Sequence, residues 1–206
     1  WWLSTEGGAL RRSRLDGAEV ELVGGPDRRT NVFGGGFAVR GDSVFFSTLG
    51  EEDGAVFRAR ATGVERLVEG ARADYVAASD DAVFFAARGA IERVARDEGK
   101  RRRIAELEGV ATGLTVWREN ELAWLDTPLE GRPRLMTWSE KAGTRRRLAL
   151  SATSADLLRS AGSRVYWAET HRADGEERGH VLFLDDADVP RTLRVAGVVS
   201  ALSAEP

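Results

Sequence analysis

The chain of 206 residues contains no cysteine, which excludes disulfides, thiolate metal sites and cysteine nucleophiles. It also has no apolar run of about 18 residues, the length that spans a bilayer, so we expect no membrane span. The formal net charge of −3 provides no general electrostatic basis for binding nucleic acid. Hydrophobic residues at 42% and charged residues at 31% are the proportions of a globular protein.

The sequence begins with Trp1 and Trp2, without an initiator methionine or a leader segment. We therefore expect the natural N-terminus to be missing, either because a signal peptide was cleaved or because the sequence was cut there. Abundant Ala, Arg and Gly with almost no Lys suggest a GC-rich bacterial genome. The predicted location is periplasmic, cell-surface or secreted.

Five short apolar runs, rich in aromatic and β-branched residues, recur along the chain. They cover residues 1–5, 44–48, 83–87, 122–126 and 165–169. The second aromatic of each run is Trp2, Phe46, Phe85, Trp124 or Trp167, at steps of 44, 39, 39 and 43 residues. From Trp167 through the C-terminus and back to Trp2 is another 41 residues. A period of this length is typical of propellers and other repeat folds.

Each run is flanked by further strand-like segments and Gly or Asp turns, which indicates four antiparallel strands per repeat. The last such segment, residues 198–205, has no run after it, and the first run has no such segment before it. We predict a single all-β domain over residues 1–206, a five-bladed β-propeller whose C-terminal strand pairs with the N-terminal strands. The predicted blades cover 198–206 plus 1–24, 36–70, 74–109, 113–152 and 156–196.

Segments such as Val165 to Glu169, and Gly8 to Leu10 followed by Arg14 to Gly17, resemble the repeats of YWTD-type receptor propellers and of bacterial TolB-like propellers. The resemblance covers the whole chain at repeat level and concerns architecture. Relatives of this broad kind mostly bind proteins, peptides or sugars, and some are enzymes. The usual YWTD ring has six blades, whereas five repeats are present here.

The loops that join second to third strands gather acidic residues on one face of the predicted ring. These residues are Glu51, Glu52, Asp53, Glu130, Glu169, Asp174, Glu176 and Glu177. Such a face could attract a cationic partner or Ca²⁺, although solvated loop carboxylates are the commoner situation. Trp117 and Trp138 lie outside the repeated aromatic column and are candidate ligand contacts if they are exposed.

The two histidines, His171 and His180, flank the loop 170–179 and could hold a metal ion together with Asp174. Surface histidines without further ligands are the favoured interpretation, so no metal site is predicted. His171 remains a candidate ligand-binding residue. The sequence predicts no cofactor, although the acidic face could attract Ca²⁺.

Asp74 and Asp156 occupy matching positions just before a first-strand apolar run, where the other copies have Gly35, Gly113 and Gly197. Five-bladed glycosidases place their catalytic carboxylates at the mouth of the channel, and glycoside cleavage needs an acid and a second carboxylate. A structural role, capping nearby backbone amides, is favoured because no third carboxylate occurs in the column.

The sequence therefore favours a non-enzymatic scaffold that binds a protein, peptide or glycan through its loop face, including the long connection 24–36. One alternative is a glycoside hydrolase that uses Asp74 and Asp156. Another is a structural subunit that packs its basic rim, residues 101–103 and 145–147, into an assembly, although charged outer strands also prevent edge-to-edge aggregation.

Overall fold

The computed structural model describes residues 2–3, 10–13, 19–23, 37–48, 54–60, 62–96, 99–118, 121–141, 145–185 and 189–194. Within these ranges every regular element is a β-strand, which confirms the all-β prediction. Consistent with this, the described residues include no helix able to cross a membrane. The chain divides into two compact units, Trp1–Ala105 and Glu106–Pro206.

The first unit contains three antiparallel sheets. Sheet I pairs β1 (Trp2–Leu3), β2 (Leu10–Ser13) and β3 (Glu19–Val23). Sheet II pairs β4 (Ala38–Arg40), β5 (Ser43–Thr48), β6 (Ala55–Arg60) and β7 (Gly63–Glu69). Sheet III pairs β8 (Ala73–Ala78), β9 (Ala82–Ala87), β10 (Ala90–Ala95) and β11 (Arg101–Glu106).

Sheets II and III pack face to face, with β5 of sheet II against β8 of sheet III, and share one apolar core. Every residue of β9 is buried. A strand covered on both faces favours consecutive apolar residues over alternation, and the sequence of β9 is of this kind. Phe45 of β5 and Phe85 of β9 are fully buried in one cluster with Val56 and Val76. A bidentate pair joins the sheets at one end, where Arg40 Nε and Nη2 donate to the Asp80 carboxylate at 2.7 and 2.8 Å.

The second unit contains two four-stranded sheets. Sheet IV pairs β12 (Gly109–Trp117), β13 (Glu121–Pro128), β14 (Arg134–Ser139) and β15 (Arg145–Ala149). Sheet V pairs β16 (Ser154–Ala161), β17 (Arg164–Ala173), β18 (Glu176–Leu184) and β19 (Arg191–Arg194).

Sheets IV and V pack through their first strands and through Trp167. Trp167 is fully buried against residues of sheet IV, which confirms the packing role predicted for this aromatic column. Thr112 Oγ1 donates to the Ala155 carbonyl at 2.7 Å, and the hydroxyls of Thr115 and Ser160 are 2.9 Å apart. These contacts advance together along both strands, so β12 and β16 run in the same direction.

The predicted unit of four antiparallel strands is thus confirmed in sheets II to V. Sheet I has three strands among the described residues, and its predicted fourth strand, residues 198–205, lies outside them. The count of five blades, the closure of the ring and the single-domain organisation remain predictions.

Candidate functional site

The hairpin of β17 and β18 extends beyond the described strands on either side of it. The two strands pair continuously from Val165 with Leu184 to Ala173 with Glu176. Strand β16 follows β17 only as far as Thr170, and β19 follows β18 only to His180. Residues 171–179, which we call the hairpin extension, therefore project without a further strand beside them in the described part of the chain.

A tight turn closes the hairpin extension. Asp174 and Gly175 both have positive φ, 55° and 82°. Two successive residues with positive φ form a two-residue turn whose twist matches that of the two strands it joins, and an Asp-Gly pair is favoured there. The sequence thus determines locally where the extension ends.

A buried carboxylate lies at the base of the hairpin extension. Trp167, Glu169 and His171 alternate along β17 and so share one face, the face packed against sheet IV. Glu169 is 2% exposed. Trp167 Nε1 donates to Glu169 Oε1 at 2.9 Å, and His171 Nε2 lies 3.0 Å from Oε2. Because an ionised carboxylate only accepts hydrogen bonds, Nε2 carries the proton in this pair.

His180 completes this cluster from the neighbouring strand. It lies opposite Glu169 in the β17–β18 register. Its ring stands at 88° to that of His171, with centroids 5.1 Å apart. Burial of a carboxylate is costly unless it is paired and hydrogen-bonded, and the indole and imidazole donors meet that need. We call Trp167, Glu169, His171 and His180 the Glu169 cluster.

Two cavities flank the connection between β15 and β16, and Ser151 lines both of them. The first, of about 380 Å³, opens onto the Glu169 cluster and is lined by Ser151, Glu169, His171, His180, Leu182 and Thr192. The second, of about 460 Å³, is lined by Gly131, Arg132, Arg134, Ala149, Leu150 and Ser151. The connection is held to the hairpin by a bond from the Thr153 N–H to the Thr170 carbonyl at 2.9 Å.

The loop between β13 and β14 leaves sheet IV at the same end as the hairpin extension. Both segments join a second strand to a third, and the first strands of the two sheets run in the same direction. Leu129, at the tip of this loop, is 92% exposed, and Glu130 beside it is also exposed. This end of the second unit thus combines an apolar tip with a charged hairpin.

Apart from Trp117, the candidate ligand residues predicted from the sequence lie in three places. Glu51, Glu52 and Asp53 lie outside the described residues. Glu130, Asp174 and Glu176 are exposed on the two loops just described, with Glu176 Oε2 3.3 Å from Arg178 Nη2. His171 lines the 380 Å³ cavity.

Trp117 does not meet the condition of exposure on which its proposed ligand role depended. It is 2% exposed, lies in the core of the second unit, and donates Nε1 to the Ser163 carbonyl at 2.7 Å. Trp138 is also buried. Both side chains are buried in the core, so their position outside the aromatic column reflects core packing.

The sequence groups Glu169 with solvated loop carboxylates, and its burial corrects that interpretation. It is the fifth residue of its apolar run, and the equivalent residues are Thr48, Ala87 and Asp126. Ala87 and Asp126 are also 2% exposed. The sequence does contain a signal of this burial, because the carboxylate occupies a column that its run predicts to be buried.

His171 contacts both His180 and Glu169, whereas Asp174 lies at the far tip of the hairpin. Among the residues that the structure describes, no group of three His, Asp or Glu side chains is placed to hold a metal ion.

Asp74 and Asp156 occupy irregular positions in first strands of different units. Asp74 is the extra residue of a bulge in β8, and the β16 register shifts just after Asp156. Partial burial raises the pKa of the Asp156 carboxyl above its usual value. Gly113 has no room for a third acid, since an added Cβ would lie 2.6 Å from Leu158 Cβ.

The basic outer strand β11 exposes Arg101, Arg102 and Arg103. Arg101 forms an ion pair with Glu92, which raises the pKa of the Arg101 guanidinium, and lies 5.7 Å above the Phe85 ring. Arg101 is thus engaged within its own sheet. The side chains of residues 145–147 lie outside the described part.

Similarity to solved structures identifies the class of fold. TolB from Acinetobacter baumannii superposes with a TM-score of 0.69 over 90% of this chain and 48% of its own, at 14% identity. The β-propeller domain of the Trilobed protease from Pyrococcus furiosus, which has an open velcro topology, gives 0.59 over 79% and 57%, at 8% identity. A puromycin-hydrolyzing peptidase from Mycobacterium tuberculosis gives 0.64 over 86% and 31%, at 15% identity.

These similarities confirm a β-propeller architecture. More particularly, the architecture is that of a TolB-like propeller, as the sequence resemblance indicated. The chain spans about half the length of the TolB protein that it matches. No protein-family model matches the sequence, and no curated protein matches it.

Proposed function

We propose that the chain is a non-enzymatic interaction propeller that binds a protein or peptide partner through the hairpin extension and the loop 129–131. The observation that carries the proposal is the projection of residues 171–179 beyond β16 and beyond the described part of β19. Loops held on a rigid sheet are where binding residues concentrate. A glycan is the less favoured ligand, because the two tryptophans considered for stacking are buried.

The chemistry of this end suits a protein surface. The hairpin extension carries exposed ion pairs, Arg172 with Glu177 at 3.0 Å and Arg178 with Glu176 at 3.3 Å. Exposed pairs of this kind contribute at most about 1 kcal/mol, so they can exchange partners at little cost. Leu129 offers an apolar anchor of the kind that becomes buried at the centre of an interface.

Site-specific photo-crosslinking tests the proposal. A benzophenone amino acid is placed at Asp174 or Glu130 and, as controls, at Lys141 or Ser163, which are exposed turn residues at the other end of the same sheets. In extracts of the source organism we expect residues 174 and 130 to capture the same protein, and residues 141 and 163 to capture none. Equal labelling from both ends, or no product from any position, contradicts the proposal.

The peptidases among the similar structures do not change this proposal. This chain covers 31% of the puromycin-hydrolyzing peptidase, and likeness at 15% identity concerns the fold alone. A glycoside hydrolase using Asp74 and Asp156 remains a second candidate, supported by the raised pKa of Asp156, since a general acid must be protonated at working pH. Hydrolysis of a panel of aryl glycosides that is lost in Asp156→Asn would favour it.

We further propose that the chain forms one domain of five blades and closes by pairing residues 198–205 with residues 1–5. The support is the repeat period, which returns to its own start. Because the chain has no cysteine, pairs of cysteines introduced at 199–201 and 2–4 can report this pairing directly by oxidation. Closure predicts rapid disulfide formation in at least one such pair and none between residue 200 and Ser163.

An extracytoplasmic location in a bacterium is the final part of the proposal. It is tested by fractionation of the source organism with an antibody to the chain. Recovery with periplasmic or surface markers is expected, and recovery with cytoplasmic markers would overturn it.

A further inference from the structure

We propose that the two cavities sharing Ser151 form one binding site for a carboxylate-rich segment of a protein partner, an acidic peptide. This inference rests on the proposed interaction function and names the chemistry of the partner. It is carried by the donors that converge from three segments: the loop after β13, the β15–β16 connection and the β17–β18 hairpin.

The first part of the site is basic. Arg134 is neutralised by an ion pair with Glu108, and this pairing raises the pKa of the Arg134 guanidinium. Arg132 lines the same cavity and has neither a hydrogen-bond nor an ion-pair partner among the described residues. A guanidinium binds a carboxylate through two parallel hydrogen bonds, so Arg132 is suited to hold a carboxylate from outside the chain.

The second part of the site contains the imidazoles of His171 and His180. Glu169 lines the same cavity, but it is 2% exposed and its two oxygens are already engaged with Trp167 and His171. The hydroxyls of Ser151 and Thr192 add two further groups that can donate to a carboxylate.

Charged residues on three strands surround His180. Glu169 faces it from β17, Arg178 lies two residues away on the same face of β18, and residue 194 pairs with it from β19. On β16 the residue in register with Glu169 is Ala155, which places Asp156 on the opposite face. The described side chains around His180 thus carry both signs of charge, and its imidazole adds a further donor for a ligand carboxylate.

Two features favour an acidic peptide over a nucleic acid or a free anion. The net charge of −3 and the confinement of the donors to two cavities provide no extended basic surface for a phosphate backbone. The cavities, of about 460 and 380 Å³, lie on either side of one residue, so that neighbouring acidic side chains can enter one each.

Fluorescence anisotropy with labelled hexaglutamate, hexaglutamine and hexalysine peptides tests the inference on the full chain. At neutral pH we expect hexaglutamate alone to bind, because it is the only one of the three peptides with carboxylate side chains. Arg132→Gln should weaken binding roughly tenfold, while Arg72→Gln, an exposed arginine outside the site, should leave it unchanged.

Substitution of Ser151 should not disturb folding, because its side chain is exposed. Ser151→Asp should weaken hexaglutamate binding far more than Ser151→Asn, because the two new side chains are of nearly equal size and only the aspartate adds a repelling charge. The inference is overturned if hexaglutamine binds equally, if Arg132→Gln and Arg72→Gln behave alike, or if millimolar phosphate displaces the peptide completely. Failure here together with crosslinking at 130 and 174 would leave the interaction function standing and reject only the acidic chemistry.

Discussion

His171 Nε2 lies 3.0 Å from Oε2 of Glu169, a carboxylate that is 2% exposed and whose other oxygen accepts a hydrogen bond from the Trp167 indole. One strand supplies all three side chains through alternation alone. The pairing fixes the orientation of the imidazole at the point where the hairpin leaves the sheet. The geometry of the cavity thus depends on a buried polar network, and such networks are sensitive to the loss of one member.

Removal of the Glu169 carboxylate should destabilise the chain. Glu169→Ala leaves the Trp167 N–H and the His171 imidazole without their acceptor, and the expected loss in the free energy of unfolding is about 2–4 kcal/mol. Urea denaturation measures it. The matched control is Glu177→Ala, which removes an exposed partner of Arg172 and should change stability by less than about 0.5 kcal/mol. Similar losses in both variants would contradict the buried network.

Trp124 and Trp167, two of the tryptophans of the second unit, should respond differently to the same substitution. Trp167 Nε1 donates to Glu169, whereas Trp124 Nε1 is buried without a partner among the described residues. Both changes to Phe remove a similar volume, but only Trp167→Phe leaves a carboxylate oxygen unpaired. We expect Trp167→Phe to cost about 1–2 kcal/mol more than Trp124→Phe. Equal losses by chemical denaturation would mean that the indole bond contributes little.

A methyl group at Gly113 should disrupt the packing of sheets IV and V. Its Cβ would lie 2.6 Å from Leu158 Cβ and 3.2 Å from the Leu158 nitrogen, in the neighbouring first strand. Overpacking that moves backbone should cost about 1–3 kcal/mol in Gly113→Ala. Gly162→Ala serves as the comparison, because its Cβ meets nothing within 4 Å and only its φ of +54° is unfavourable, a cost of about 1 kcal/mol. Thermal unfolding in which Gly113→Ala is the milder change would refute the close approach.

Neutralising Asp156 should stabilise the fold at neutral pH by a small amount. Burial raises its pKa in the folded state, so the folded chain holds this proton more tightly than the unfolded chain does. The contribution that favours folding is complete below the unfolded pKa of about 3.9 and is lost as pH rises through the folded pKa. The melting temperature of Asp156→Asn should therefore exceed that of the parent at pH 7, and the difference should vanish near pH 3.

The matched comparison is Asp74→Asn, at the equivalent position in β8. An equal gain in melting temperature in both variants would point to a general effect of removing negative charge and not to burial of Asp156. A larger gain in melting temperature for Asp156→Asn at pH 3 than at pH 7 would reverse the sign and exclude desolvation as the cause.

Local residue patterns predict the repeat unit because each element depends on its own neighbours. Runs such as Val83 to Ala87 are consecutive and apolar, and the following Arg88-Gly89 pair adopts the positive φ values, 49° and 74°, of a two-residue hairpin turn. The Asp174-Gly175 turn is equally local. The four-strand arrangement of sheets II to V therefore follows from residues that are close together in the chain.

The sequence predicts the candidate site only in fragments. His171, Glu130, Asp174 and Glu176 are candidates because they lie on loops, whereas Trp117 is a candidate because it lies outside a column. The surroundings of a side chain at the end of a strand depend on the adjacent sheet. Trp117 reaches the Ser163 carbonyl in the next sheet, 46 residues away, and a periodicity argument contains no such information.

The sequence by itself determined an all-β chain of recurring four-stranded sheets, because strand alternation and Gly or Asp turns act over a few residues. The tertiary structure alone decided that Glu169 is enclosed, that His171 and His180 meet, and that Ser151 divides two cavities. Those features arise where two sheets pack, and the exposure of a polar side chain there is governed by residues distant in the chain.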